Sequence, residues 1–329
     1  MRYLEINISN TGNKYREGLN VSKLVLGTDY FGTTVSESDA FRLMDVYADA
    51  GGNCLDTARM YASWLPGGDG ASERTVGKWL KLRKNRDKLI LSTKGGHPDL
   101  DSMTIGRLSK REIEGDLDES LKTLETDHID IYWLHRDDES RAVEDIMETL
   151  DTLVSKGKVR AVACSNWKTK RVEEANRAAA SGGLTAFCAS QIQWSLASST
   201  PELHGDPTII CMDSSEYAWY LNNRFPVFAY SSQAKGFFSK AAEKGIEAIN
   251  QKAYARFVSP QNLARLERVK EYAGRNGLTP TAAALSYITC NMVPAVAIAG
   301  CKNEKQLHDT LTAADVDIPA ADADWLFEG

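Results

Sequence analysis

A chain of 329 residues, 43% hydrophobic and 26% charged, can bury a large core. Its formal net charge of −6 leaves no broad basic surface for nucleic acid, and the local run KLRKNRDK (81–88) reads as one solvated helix end. The opening MRYLEINISNTGNK lacks the charged-then-apolar order of a leader, and no run of about eighteen apolar residues occurs, so a cytoplasmic setting without a membrane span is expected. Six cysteines without a C-x-x-C pair fit reduced thiols packed in a core.

In chain order, apolar runs predict strands at 23–27, 53–57, 89–94, 129–135, 159–166, 187–193, 226–231 and 294–300. Between them, amphipathic segments with Ser, Thr or Glu near their starts predict helices, among them 36–51, 109–126, 142–157 and 169–182. Strands that are apolar at nearly every position must be covered on both faces, which points to a parallel sheet wrapped by helices. Eight such units predict a closed (β/α)8 TIM barrel with its site at the carboxyl ends of the strands. A doubly wound sheet would want a glycine-rich turn into its first helix, and KLVLGTDYFGTTVSESDA has no G-x-G-x-x-G. No linker or low-complexity tract divides the sequence, so one domain over 1–329 is expected. The connections after the third and seventh strands are long, as site-forming loops are.

The strand ends place Asp56, Lys94, His135, Ser165, Asn166, Gln191, Tyr230 and Gly300 on one face. A carboxylate at the mouth of a buried strand needs a counter-charge, and Lys94 ends the neighbouring strand, about 5 Å away. Tyr61, five residues after Asp56, can swing its phenol over the mouth. A phenol titrates near about 10, and Lys94 held positive beside it is expected to lower that value and make Tyr61 a proton donor. His135 can hydrogen-bond a substrate oxygen. Any one of these residues alone would read as a polar strand end; four at successive strands read as a site.

The stretches NCLDTARMY, STKGG, WLHRDD and AVACSNW resemble the Asp, Tyr, Lys and His motifs of the aldo-keto reductases. The resemblance covers nearly the whole chain and implies a (β/α)8 barrel reducing an aldehyde or ketone with a nicotinamide cofactor. It implies Tyr61 as general acid, Lys94 and Asp56 tuning it, and His135 orienting the carbonyl. It implies Ser165, Asn166 and Gln191 on the nicotinamide carboxamide and Tyr230 stacked on the ring; amides offer donors and acceptors on one edge, and a phenol offers a flat face. The loop SSQAKGFF resembles the pyrophosphate-binding segment, with Ser231, Gln233 and Gly236 at matching places and Ser232-Gln233 replacing the usual Pro-Leu. AIAGCKNEKQLHDTL resembles the adenosine end, where Gly300 precedes a helix N-terminus, Lys302 supplies a cation for NADP(H), and Gln306 stands where many relatives carry arginine. Thr310 replaces a common asparagine, which keeps NAD(H) open.

Trp64, His97, Arg136, Asp137, Asp138 and Trp194 follow the catalytic strands and are expected at the substrate edge, Arg136 binding an anion or pairing with the two acids. Aromatic faces among polar groups suit a sugar or other polar carbonyl compound better than a steroid. The short segment after the last helix motif predicts an open pocket. Two alternatives are a cofactor-sensing regulatory subunit of the same fold and a Schiff-base aldolase built on Lys94. No metal is expected, because the five histidines share no i,i+3 or i,i+4 spacing.

Overall fold

Each of the eight apolar runs contributes a strand to one parallel barrel in the computed structural model, which describes residues 1–8 and 17–328. A hairpin comes first, β1 (Tyr3–Ile6) and β2 (Leu19–Ser22), paired antiparallel. The barrel follows as β3 (Leu24–Gly27), β4 (Cys54–Asp56), β5 (Ile90–Gly95), β6 (Ile129–Leu134), β7 (Val159–Ser165), β8 (Ser190–Gln193), β9 (Val227–Tyr230) and β10 (Ala295–Gly300), and β10 closes on β3. The expected sixth strand is shorter than its apolar run: regular pairing begins at Ser190, and the buried residues before it reach β7 through the Cys188 amide on the Val162 carbonyl and the Cys164 amide on the Ala189 carbonyl.

The four helices read from the sequence are present at Glu37–Asp49, Lys110–Leu124, Val143–Ser155 and Thr169–Gly182. Their ends follow side-chain chemistry. Ser36 accepts from the Asp39 amide, and Ser109 and Glu112 cap each other's backbone. Gly183, at φ 66°, ends the fourth by donating to the carbonyls of Ala179 and Ala180. In Lys110–Leu124 the buried Ile113, Leu117, Ser120 and Leu124 recur at helical spacing and turn one stripe to the barrel.

Inside the barrel Trp133 meets Phe228 edge-on at 4.9 Å. The hairpin, which sequence periodicity did not single out, buries Ile6, Leu19 and Val21 in one cluster with Val25, Cys54, Ile90 and Val296 near the amino ends of the strands. It therefore closes the end opposite the site. Its signal lies in the alternation of Leu4, Ile6 and Ile8 against Leu19 and Val21. The long connection after β9 carries two helices, Phe237–Lys244 and Gln251–Phe257.

Candidate active site

Register brings the strand-end residues together. Gly27 is level with Asp56, Asp56 with Ser92, Ser165 with Gln191, and Gly300 with Gly27. A cavity of about 1010 Å³ opens over this face, lined by Asp29, Tyr61, His135, Tyr230, Lys235 and Lys302 among others.

Its floor is a closed polar cluster. Lys94 Nζ donates to Asp56 Oδ2 at 2.7 Å, to the Thr57 carbonyl at 2.8 Å and to the Tyr61 hydroxyl at 2.8 Å, which uses all three ammonium protons. The Tyr61 hydroxyl donates to Asp56 Oδ2 at 3.2 Å, while Asp56 Oδ1 accepts from Ser92 Oγ at 3.0 Å and Gln191 Nε2 at 3.1 Å. Asp56 and Lys94 are both buried, so each removes the desolvation problem of the other. Tyr61 reaches this point because the chain after β4 folds into tight turns, with Ala62 at φ 67° and Leu65 donating to the Ala62 carbonyl. Gly68 closes the turn; a Cβ there would lie 2.0 Å from the Ala62 carbonyl oxygen.

Burial and the Asp56 charge push the Tyr61 phenol well above its ordinary value. The expected lowering by Lys94 is outweighed. Burial also brings the Lys94 ammonium down, against the opposing pull of Asp56. His135 stands edge-on to Tyr61 at 6.0 Å and to His97 at 4.6 Å. Burial, then His97, Arg136 and Lys94, hold its imidazole well below the usual histidine range, and burial with Arg136 brings His97 down to about 4. Both rings are neutral near pH 7. His135 Nδ1 is buried with no hydrogen-bond partner among the described residues.

The residues expected on a carboxamide are adjacent and engaged with one another. Ser165 Oγ donates to the Gln191 carbonyl at 2.9 Å, and Asn166, at φ 60°, donates to Ser165 Oγ and to the His135 carbonyl. Asn166 Oδ1 accepts from Tyr230 at 2.8 Å and from the Ile210 amide at 3.1 Å. Past Tyr230 the backbone enters the left-handed region at Ser231, Ala234, Lys235 and Gly236. Such a run is costly for residues with side chains, of the order of 1–3 kcal/mol each, and is typical of ligand clamps. Gln233 Nε2 donates to Thr310 Oγ1 at 2.8 Å, so the replacement of Pro-Leu ties this loop to the last barrel helix, Glu304–Leu311. Lys302 is exposed at the cavity with its ammonium 5.0 Å from the Tyr30 ring centre, and its amide donates to Gln306 Oε1 at 2.8 Å.

At the substrate edge, Trp64 is 47% exposed and lines the cavity beside Tyr30. Arg136 also lines it, but its guanidinium pairs with Asp206 at 3.1 Å and Thr208 at 2.8 Å. The expected pairing with its neighbours is corrected: Asp137 faces Arg171 at 3.4 Å and Asp138 faces Arg141 at 3.5 Å. Trp194 is also corrected. It is buried against Tyr217 and Tyr287, donates to the Tyr287 hydroxyl at 3.3 Å, and is not among the described residues lining the cavity.

Sequence reasoning did not nominate Asp29, Lys235, His204, Asp206 or Arg256, which all line the cavity. Asp29 follows the first barrel strand by two residues, a position that the strand-end argument reaches if extended into the loop. The others sit in long connections where spacing carries no geometry.

The Aldo/keto reductase family's sequence profile matches residues 23–326. The chain is 30% identical over 317 residues to a norsolorinic acid reductase of Emericella nidulans, an alignment covering 92% of this chain and 76% of the relative. It is 30% identical to the uncharacterized oxidoreductase YrpG of Bacillus subtilis, covering 92% and 90%, and 25% identical to an NADP(+) aryl-alcohol dehydrogenase of Phanerodontia chrysosporium, covering 92% and 80%. The chain belongs to the aldo-keto reductase family, whose relatives here are named as oxidoreductases.

Proposed function

We propose that this chain, as a single catalytic unit, reduces an aldehyde or ketone to an alcohol with NADP(H), Tyr61 acting as general acid. The observation that carries the reading is the Tyr61 hydroxyl held 2.8 Å from Lys94 Nζ at the floor of a large cavity. The residues present fit a nicotinamide dinucleotide: a phenol and amides at the floor, a left-handed backbone run beyond, and cations at the far end. Ser165, Asn166, Gln191 and Tyr230 would hold its nicotinamide, Ser231, Gln233 and Gly236 its pyrophosphate, and Gly300, Lys302 and Gln306 its adenosine end. When bound, that cofactor supplies the hydride.

The remaining chemistry belongs to side chains. A phenol pushed up by burial keeps its proton at neutral pH, which is the form a donor needs. As negative charge develops on the carbonyl oxygen the proton passes from Tyr61, and Lys94 stabilises the phenolate left behind. Asp56 keeps Lys94 charged and aimed. A neutral His135 cannot compete as a strong acid, so it serves as a hydrogen-bond partner that orients the carbonyl. Trp64, His97 and the paired Arg136 give the substrate edge an aromatic and polar character that suits a hydroxylated or aromatic carbonyl compound. The aryl-alcohol dehydrogenase among the relatives supports including aryl aldehydes in the test, and its NADP(+) supports the cofactor. Among the described residues no helix is long and apolar enough to cross a membrane, and the six cysteines are free thiols, which supports a reducing, cytoplasmic setting.

The test follows cofactor oxidation with NADPH and NADH across sugar aldehydes, keto sugars and aryl aldehydes, for the wild type and Tyr61→Phe. Loss of a general acid predicts a fall in kcat of about 10²–10⁴-fold with cofactor binding retained. Tight NADPH binding without turnover on any carbonyl would move the assignment to a cofactor sensor.

A further inference from the structure

Asp56 is held from a second side by two residues that the proton transfer itself does not touch. Ser92, level with Asp56 on β5, donates from Oγ to Asp56 Oδ1 at 3.0 Å, and Trp133 on β6 donates from its indole Nε1 to Ser92 Oγ at 2.6 Å. Both side chains are fully buried, and neither is among the described residues lining the cavity. Strand alternation puts them there: Ser92 precedes Lys94 by two residues and Trp133 precedes His135 by two, so they share the inward face. The edge-on contact with Phe228 at 4.9 Å holds the indole in place, so packing aims its N–H at Ser92.

An indole N–H can only donate, and a hydroxyl has one proton to give. A serine hydroxyl left alone turns that proton toward any acceptor in reach; with the indole N–H on its oxygen, Ser92 presents its proton to Asp56. Resting on the reading of Tyr61 as general acid, we propose that Trp133 and Ser92 are positioning residues for that acid: Trp133 fixes the direction of the Ser92 hydroxyl, which draws the charge of Asp56 toward Oδ1 and away from the oxygen that Tyr61 and Lys94 share. That shared oxygen, Oδ2, accepts from Lys94 at 2.7 Å and from Tyr61 at 3.2 Å. The more negative it is, the harder it holds the Tyr61 proton; after burial, the Asp56 charge is the next cause of the raised phenol. Gln191 Nε2 also reaches Oδ1, at 3.1 Å, but Gln191 lines the cavity and is shared with the proposed carboxamide contact. Ser92 is sealed from the cavity and serves Asp56 alone. In a buried chain of hydrogen bonds each bond polarises the next, so the indole strengthens a bond that it does not itself make.

The test is a double-mutant cycle on the NADPH-loaded chain, with Ser92→Ala, Trp133→Phe and the double variant beside the wild type. Each is followed for kcat with a carbonyl that the wild type reduces, for the pH dependence of the reverse alcohol oxidation, and for NADPH affinity by calorimetry. Losing a hydrogen bond to a charged group predicts a fall in kcat of about tenfold for Ser92→Ala, and a misdirected hydroxyl predicts about threefold for Trp133→Phe. NADPH affinity should stay as in the wild type. In the reverse direction Tyr61 must first give up its proton, so the rise of kcat with pH should be displaced to higher pH in both single variants. In the Ser92→Ala background, Trp133→Phe should lower kcat no further, because the indole acts only through the hydroxyl. The double variant also leaves no indole N–H unpaired, which preserves the measurement if Ser92→Ala alone is poorly folded. Unchanged kcat and pH dependence in both single variants, with only a lower unfolding midpoint, would make the pair a core hydrogen bond with no part in the transfer. An equal loss from Trp133→Phe in both backgrounds would mean that the indole acts by packing, and the relay fails. A wild type that binds NADPH yet reduces no carbonyl is a different result, since it sinks the Tyr61 reading and this inference with it.

Discussion

The two ends of the cavity are held in different ways. At the floor, Asp56 and Lys94 sit on adjacent strands of one barrel, fully buried, with their hydrogen-bonding capacity spent on each other, on Tyr61 and on neighbouring strands. At the far end, Lys235 and Arg256 hang from the connection after β9 and Lys302 from the turn after β10; burial first, then Arg256, Lys252 and Lys302, disfavour the charged form of Lys235, opposed by Asp29. One end satisfies its charges internally; the other gathers like charges and leaves them for something anionic. The floor is preorganised for chemistry, and the far end is unfinished without a ligand.

The largest effect expected from breaking this arrangement is at Asp56. Asp56→Ala strands the Lys94 ammonium in a buried site, and removing one partner of a buried pair costs about 3–5 kcal/mol. Urea denaturation of the variant checks this, and a loss below about 1 kcal/mol would mean that water reaches Lys94 and that the floor is not closed. Asp56→Asn keeps the shape and should fall between the two.

A buried carboxylate outside the site sharpens the contrast. Glu73 is 1% exposed and accepts from Thr93 Oγ1 at 2.6 Å through Oε1, while Oε2 has no partner at hydrogen-bond distance among the described residues. Burial, opposed by the Thr93 and Ser120 hydroxyls and by the Arg59 charge, raises its carboxyl to about 7. The folded state therefore holds a proton that the unfolded chain releases above about 4.3. Stability from this group is full at pH 4 and declines as pH rises through about 7. Glu73→Gln should abolish the decline, so at pH 8 the variant gains roughly 2–3 kcal/mol relative to wild type compared with pH 5. Parallel pH–stability curves would show that Glu73 is ionised and solvated despite its position.

What could be read from sequence follows the same division. A parallel barrel fixes strand ends in space, so apolar runs ending in Asp56, Lys94 and His135 were enough to bring those residues together. Tyr61 needed only a short turn. The far end depends on Lys235 and Arg256 within a long connection whose helices, Phe237–Lys244 and Gln251–Phe257, turn their cations into the cavity by tertiary packing. Nothing in local spacing encodes that. Trp194 failed for a related reason: it follows β8 by one residue, and alternation sends it outward to Tyr217 and Tyr287 while Gln191 faces in. The direction of the Tyr61 shift was out of reach as well, because a sequence names the lysine beside a phenol but not how completely both are desolvated.

The smallest effect tests whether the far end is held open for an anion. Arg256 is anchored by a hydrogen bond from Nη2 to the His204 carbonyl at 3.1 Å, and Lys235 is exposed, so neither supports the core. Lys235→Ala and Arg256→Ala should each shift stability by no more than about 0.5 kcal/mol, since each removes a repulsion along with a side chain. Each should weaken NADPH binding by about three- to tenfold at low salt, and by less at high salt, because the attraction acts through solvent. The change in affinity that Tyr61→Phe produces relative to the wild type should be the same at both salt concentrations, for its hydroxyl meets buried partners. Titrations at two ionic strengths decide the matter. If the two cation variants bind NADPH as tightly as wild type at low salt, the repulsion at the far end is tolerated for some other reason, and the division between a finished floor and an unfinished end fails.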